Sequence, residues 1–172
     1  MTPLGYRRLI LTRHAKSAWD DPTLPDHDRP LNARGRRSAL ELGDFMASRG
    51  YEPEEVLCSS AKRTQETWAM VAQAALEVRP LIRIEPGLYH AGPDKMLTIL
   101  RSASQPTVMM LGHNPGISEL AALLPANTPL DPEFRRYPTC ATLVIDFQID
   151  NWSQVQPRSG SVMDFVRFDG RI

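Results

Sequence analysis

Short apolar runs alternate along the chain with longer segments whose apolar positions recur at helical spacing. Leu9-Ile10-Leu11-Thr12 is the first run and predicts a strand. Residues 20–30, DDPTLPDHDRP, hold four Asp and three Pro and predict a loop. Asn32 can then cap a helix reaching about Arg49, with Leu40, Leu42, Phe45 and Met46 as its apolar positions and Gly50 as its stop. Val56-Leu57-Cys58 predicts a second strand. A helix from about Ala61 to Leu76 follows, with Thr64, Trp68, Val71, Ala72 and Ala75 on one stripe.

The second half repeats the pattern. Leu81 to Ile84 predicts a short strand, broken by Glu85-Pro86-Gly87, and Asp94 can cap a helix over Met96, Leu97, Ile99 and Leu100. Thr107 to Leu111 is a continuous apolar run of the kind buried on both faces of a sheet. Asn114-Pro115 opens a helix through Leu123, and strands are predicted over Ala141–Phe147 and Val162–Phe168. Strands alternating with helices predict an α/β fold with a largely parallel sheet covered on both faces. With no repeat, low-complexity tract or interdomain linker, residues 1–172 read as one domain.

Composition narrows the function. Of 172 residues, 42% are apolar and 23% charged, enough for a core that needs no disulfide or metal. Lys+Arg and Asp+Glu number 20 each, so the balance gives no support for a nucleic-acid or membrane-surface protein. Cys58 and Cys140 each border an apolar run and read as buried small hydrophobes in a reducing compartment. The apolar run Leu9–Leu11 is too short for a signal peptide, and no window approaches the ~20 apolar residues of a membrane helix. The expectation is a soluble cytoplasmic protein.

Ligands of open α/β sheets bind outside the carboxyl ends of the strands. Three apolar runs end in polar chemistry: Arg13-His14, Ser59-Ser60-Ala61-Lys62-Arg63-Thr64, and Gly112-His113-Asn114-Pro115. The chain has only four histidines, and two stand at such ends. Arginine forks suit phosphate oxygens, a neutral imidazole can attack phosphorus, and a second imidazole can stabilise the transferring oxygens. The helix start after Asn114 adds free N–H groups. No Gly-rich nucleotide-phosphate loop is present, so the set suits hydrolysis of a phosphate monoester or phosphoramidate through a phosphohistidine.

The segment Arg13-His14-Ala15-Lys16-Ser17, with Asp28-Arg29-Pro30-Leu31-Asn32 and Gly35 after it, resembles the signature of the histidine phosphatase (phosphoglycerate mutase-like) superfamily, in its small phosphohistidine phosphatase (SixA-like) branch. Ser59 to Thr67 and Gly112 to Pro115 resemble the family's second and third blocks, in the family's order. The resemblance implies a three-layer α/β/α sandwich with a mostly parallel sheet and no metal or organic cofactor. It implies His14 as the nucleophile, and Arg13, Arg63 and His113 as the rest of the phosphate pocket. Lys16, Ser17 and Asn114 are further candidates for contact with the substrate.

Two departures bear on chemistry. Many members place a glutamate proton donor in the stretch that here reads Glu85 to His90, and Tyr89 falls at that position. A tyrosine near pKa 10 is a poor acid for an alkoxide leaving group. This favours a phosphohistidine substrate over sugar phosphates. Asp20 stands where mutase-type members carry a phosphate-contacting asparagine, so Asp20 or Asp28 is a candidate to orient an arginine or act as the acid. The expected partner is a phosphorylated protein or a small phosphorylated molecule. The alternatives are a small-molecule phosphomonoesterase and a phosphate-binding module without turnover.

Overall fold

The computed structural model describes residues 2–75 and 79–171. In chain order the regular elements are β1 (Arg7–Arg13), α1 (Ala33–Arg49), β2 (Glu55–Ser59), α2 (Lys62–Ala75), β3 (Leu81–Glu85), α3 (Pro93–Arg101), β4 (Thr107–Gly112), α4 (Gly116–Leu123), β5 (Thr142–Phe147) and β6 (Ser161–Val166). The predicted end of the second helix, Leu76, lies outside the described residues. Among the described residues, no helix is long and apolar enough to cross a membrane.

Six strands form one sheet in the order β3-β2-β4-β1-β5-β6. β1, β2, β3 and β4 pair in parallel, whereas β5 runs against both β1 and β6. The sheet is largely parallel, as expected, with β5 as its one reversed strand among the described residues. After α4 the chain returns along residues 124–141 to the carboxyl edge, so β5 enters the sheet from the opposite end. Arg8 stands directly opposite Asp146 across β1 and β5, and the two are joined by a buried bidentate ion pair at 2.7 and 2.8 Å. That pair pins the antiparallel register.

Strand periodicity sorts the core into two layers. Leu9, Leu11, Leu57, Val108, Met110, Leu143 and Ile145 face α3 and α4. Ile10, Val56, Cys58, Met109, Leu111 and Val144 face α1 and α2, where Leu42, Met46, Trp68 and Val71 cover them. The result is a three-layer α/β/α sandwich. Both cysteines are buried and free, and burial pushes each thiol up to about 12, which leaves them as inert packing groups.

Both ends of α1 follow the local chemistry. The Asn32 side chain accepts from the Gly35 N–H at 2.8 Å, and Gly50 ends α1 in the left-handed conformation at φ 68°. The cap of α3 is Gly92, not Asp94. Pro93 has its φ already set for the first helical position, so the helix starts two residues earlier and Asp94 falls in its first turn. Gly35 answers a close approach: a Cβ there would lie 2.1 Å from the Lys16 carbonyl oxygen. Gly35→Ala is expected to cost about 1–3 kcal/mol in denaturant unfolding, because both contacting groups are backbone.

Candidate active site

Register brings the three polar strand ends level. Arg13 pairs with Gly112 and Cys58 with Leu111, so His14, Ser59 and His113 emerge together from β1, β2 and β4. The rings of His14 and His113 lie 5.3 Å apart. With Arg13, Arg63 and Arg29 they line a pocket of about 340 Å³, whose rim includes Lys16, Ser17, Trp19, His90, Asn114 and Thr139. The structure thus brings together Arg13, His14, Lys16, Ser17, Arg63, His113 and Asn114, all predicted from sequence.

Each imidazole is oriented by one hydrogen bond. His14 Nδ1 donates to the Ala15 carbonyl at 2.7 Å, which keeps its proton there and leaves the Nε2 lone pair free. Burial pushes the His14 pKa down to about 3, and the cations of Arg13, Arg63 and Arg29 push the same way. His113 Nε2 lies 2.7 Å from Ser59 Oγ, which also accepts from the Ala61 N–H. The Ser59 hydroxyl can donate to Nε2, an arrangement that puts the His113 proton on Nδ1, the ring nitrogen without a partner among the described residues. Burial also lowers His113 to about 3, with His14 as the next cause. Both rings are neutral donors or nucleophiles rather than imidazolium ions.

The arginines are held by backbone and by one carboxylate. Arg13 donates to the Tyr137 carbonyl at 3.2 Å. That carbonyl belongs to a fully buried tyrosine at φ 48°, whose hydroxyl donates to Leu11 O and accepts from Leu143 N. Asn114 Nδ2 donates to the same carbonyl at 3.2 Å and to Arg136 O at 2.9 Å. Arg63 donates to Asp26 O at 2.8 Å and to Asp26 Oδ2 at 3.1 Å. Arg29 donates from Nε to Asp26 Oδ1 at 3.2 Å and from a terminal nitrogen to Ser17 Oγ at 3.0 Å. Among the described residues, Arg13 Nε, Arg63 Nε, His113 Nδ1 and Asn114 Oδ1 are buried without a partner. The three nitrogens leave donor capacity unspent beside the pocket, whereas the Asn114 oxygen can only accept.

Asp26, not Asp20 or Asp28, is the carboxylate that orients arginines. Asp20 borders a neighbouring depression with Arg36, and Asp28 faces a groove with His27 and Ser60. Asp26 sits in a single-turn 3-10 helix, Asp26–Asp28, where it also accepts from the Tyr89 hydroxyl. The Tyr89 hydrogen bond and the Arg63 cation hold the Asp26 carboxyl far below its ordinary range. Tyr89 is shifted upward, by burial first and Asp26 second. Sequence reasoning missed Asp26, Arg29 and Ser59 as site residues. Their signal was position: an Asp and an Arg bracketing the loop after the first polar block, and a serine at the end of the second strand.

The two buried neutral histidines make stability depend on pH. Each has a folded pKa of about 3 against an ordinary 6.5, so below about pH 6.5 the unfolded chain binds protons that the folded chain does not. Stability therefore falls on acidification through that window. The urea midpoint is expected to drop between about pH 7 and pH 5, with a smaller drop in His14→Asn/His113→Asn.

A sheet with this topology, carrying histidines and arginines at its carboxyl edge, defines an α/β phosphoryl-transfer protein. Comparison with known proteins agrees. Residues 9–88 match the model of the histidine phosphatase superfamily (branch 1). An uncharacterized chloroplastic protein of Arabidopsis thaliana is 38% identical over 128 residues, 69% of this chain and 59% of that protein. The chain therefore spans less than two thirds of that relative's length. A solved structure that carries the name SixA, from Nakamurella multipartitia, superposes with a TM-score of 0.79 at 26% identity, covering 96% of this chain and 98% of that one. A second one so described, from Agrobacterium tumefaciens, gives 0.74 at 27% identity, with 94% and 97% covered. The chain belongs to the histidine phosphatase superfamily, and the two solved structures place its fold beside SixA proteins.

Proposed function

We propose that the protein hydrolyses phosphohistidine carried on another protein, by way of a phosphoryl group held on His14, and that it does so in the cytoplasm. The observation that carries this reading is the absence of a poised acid. Among the described residues lining the pocket, Asp26 is the only carboxylate, and Tyr89 and two arginines keep it ionised. Tyr89, at the position of the family's usual donor, is shifted away from giving up its proton. An alkoxide leaving group needs a proton from the enzyme as the P–O bond breaks. A phosphorylated imidazole does not. Protonated on its other nitrogen, it departs as neutral imidazole, with the P–N electron pair returning to the ring. The names of the two SixA structures point the same way.

In the first step His14 Nε2 forms the new bond to phosphorus while the substrate P–N bond breaks in line. Arg13, Arg29 and Arg63 neutralise charge on the three peripheral oxygens, and the His113 Nδ1 proton supplies a further donor. In the second step water attacks the phosphoryl group on His14, the P–Nε2 bond breaks, and inorganic phosphate leaves. The water's proton passes to the departing phosphate and solvent. Lys16 and Ser17 line the same pocket, and the Ser17 hydroxyl accepts from Arg29.

The test is a comparison of kcat/KM for a protein phosphorylated on histidine, an aryl phosphate and an alkyl phosphate. The expected order is phosphohistidine first, aryl phosphate second and alkyl phosphate last, following the leaving groups' need for a proton. An alkyl phosphate turned over best would instead make the protein a small-molecule phosphomonoesterase. Binding of phosphate with no turnover of any of the three would make it a phosphate-binding module.

A further inference from the structure

Trp19 is a large aromatic side chain that is 75% exposed, yet it lines the pocket that holds His14. Single exposed hydrophobic residues are ordinary on protein surfaces. Trp19 differs in how it is held. Residues 16–18 and 30–32 form a short antiparallel ladder, with Ala18 N–H donating to Pro30 O at 2.8 Å, Asn32 N–H to Lys16 O at 3.0 Å, and Ser17 bridged to Leu31. Trp19 and Arg29 are the residues that leave this ladder on its two sides. They meet face to face, with the Arg29 guanidinium carbon 3.5 Å from the indole centroid.

The supporting face is rigid. Arg29 is only 8% exposed and is tied to Asp26, to Ser17 Oγ and to Ala18 O. One face of the indole is therefore held on a fixed buried cation, while the rest of the ring stands in solvent at the pocket mouth. Holding an indole this way costs little further entropy when a ligand ring meets it. The guanidinium also orders the ring where bulk solvent alone would leave it free to rotate.

We propose that Trp19 is the specificity-determining platform for the leaving group, receiving a planar ring whose phosphoryl group sits among Arg13, Arg63 and His113. This rests on the reading above and names its recognition element: the imidazole of phosphohistidine is such a ring, and an alkyl chain is not. His90, tilted at 44° against Tyr89 with ring centroids 3.9 Å apart, also lines the pocket, so rings stand at more than one point of its lining.

The experiment measures affinity for two inert probes, phenylphosphonate and methylphosphonate, by calorimetry on the wild-type protein, Trp19→Ala and Trp19→Phe. Aromatic pairing predicts that the phenyl-to-methyl affinity ratio falls about 2- to 12-fold in Trp19→Ala and is largely retained in Trp19→Phe. An unchanged ratio in Trp19→Ala overturns the proposal. So does a wild-type ratio near one. Equal losses for both probes overturn it as well, because Trp19 would then act only by holding Arg29. The binding comparison needs no turnover, so a wild-type protein inert on phosphohistidine would defeat the proposed function while these ratios still decide the role of Trp19.

Discussion

Replacing His14 by alanine is expected to lower phosphate release from phosphohistidine by at least about a thousandfold, with little change in fold. The side chain is nearly buried, but it sits at a strand end over a pocket rather than within either packed layer. Its removal therefore takes away the atom that accepts the phosphoryl group without opening a cavity in the core. Neutrality is central to its role. An imidazole with an ordinary pKa of 6.5 would be about a quarter protonated at pH 7, and that fraction could not attack. Burial and three neighbouring cations hold His14 near 3, so it is unprotonated at working pH. The hydrogen bond from Nδ1 to the Ala15 carbonyl then settles which nitrogen carries the lone pair. His14→Asn keeps the size and polarity but not the nucleophile, and is expected to be as inactive as alanine. Far-UV circular dichroism and the urea midpoint at neutral pH check that either variant is folded.

Arg63→Ala is expected to lower kcat by roughly 10²–10³-fold, and Asp26→Asn by a smaller factor, about tenfold. Arg63 is 5% exposed, with two donors on Asp26 and its Nε buried without a partner among the described residues. Alanine removes a fixed fork aimed at developing negative charge. Lysine does not replace it, since a single ammonium cannot hold Asp26 and a phosphoryl oxygen in the same geometry. Asp26 acts through the arginines. Its carboxylate divides between Arg63 and Arg29, so the asparagine variant loosens both. The double variant is expected to lose little more than Arg63→Ala, because the two residues work as one unit. Full additivity in kcat would show that Asp26 has a separate task.

Much of this site was legible in the sequence because it lies where strands end. Residues 9–12 and 107–111 are buried on both faces, and such strands read as continuous apolar runs. The polar residues that break those runs, Arg13-His14 and His113, were therefore assignable to one edge of the sheet. The second layer of the site was not legible in this way. Arg29 and Asp26 reach the pocket only because residues 16–18 pair with 30–32, a contact between main-chain groups that leaves no side-chain pattern. Tyr137 fixes Arg13 through its carbonyl oxygen, which any residue carries; what singles it out is a left-handed φ and a fully buried ring. The direction of β5 was hidden for a similar reason, since an apolar run records burial and not which way the strand points. The cap at Gly92 was missed because Asp94 satisfies the usual preference while Pro93 fixes the geometry.

The central claim is that a phosphoryl group resides on His14 during turnover. The direct measurement is to mix the protein with excess substrate, quench in base, digest, and locate phosphate by mass spectrometry. An acid-labile, base-stable phosphoryl group on His14, present in wild type and in a slowed His113→Ala variant but absent from His14→Asn, is the predicted result. Turnover with no phosphoryl group on His14 in either protein, or a phosphoryl group on another residue, would contradict it.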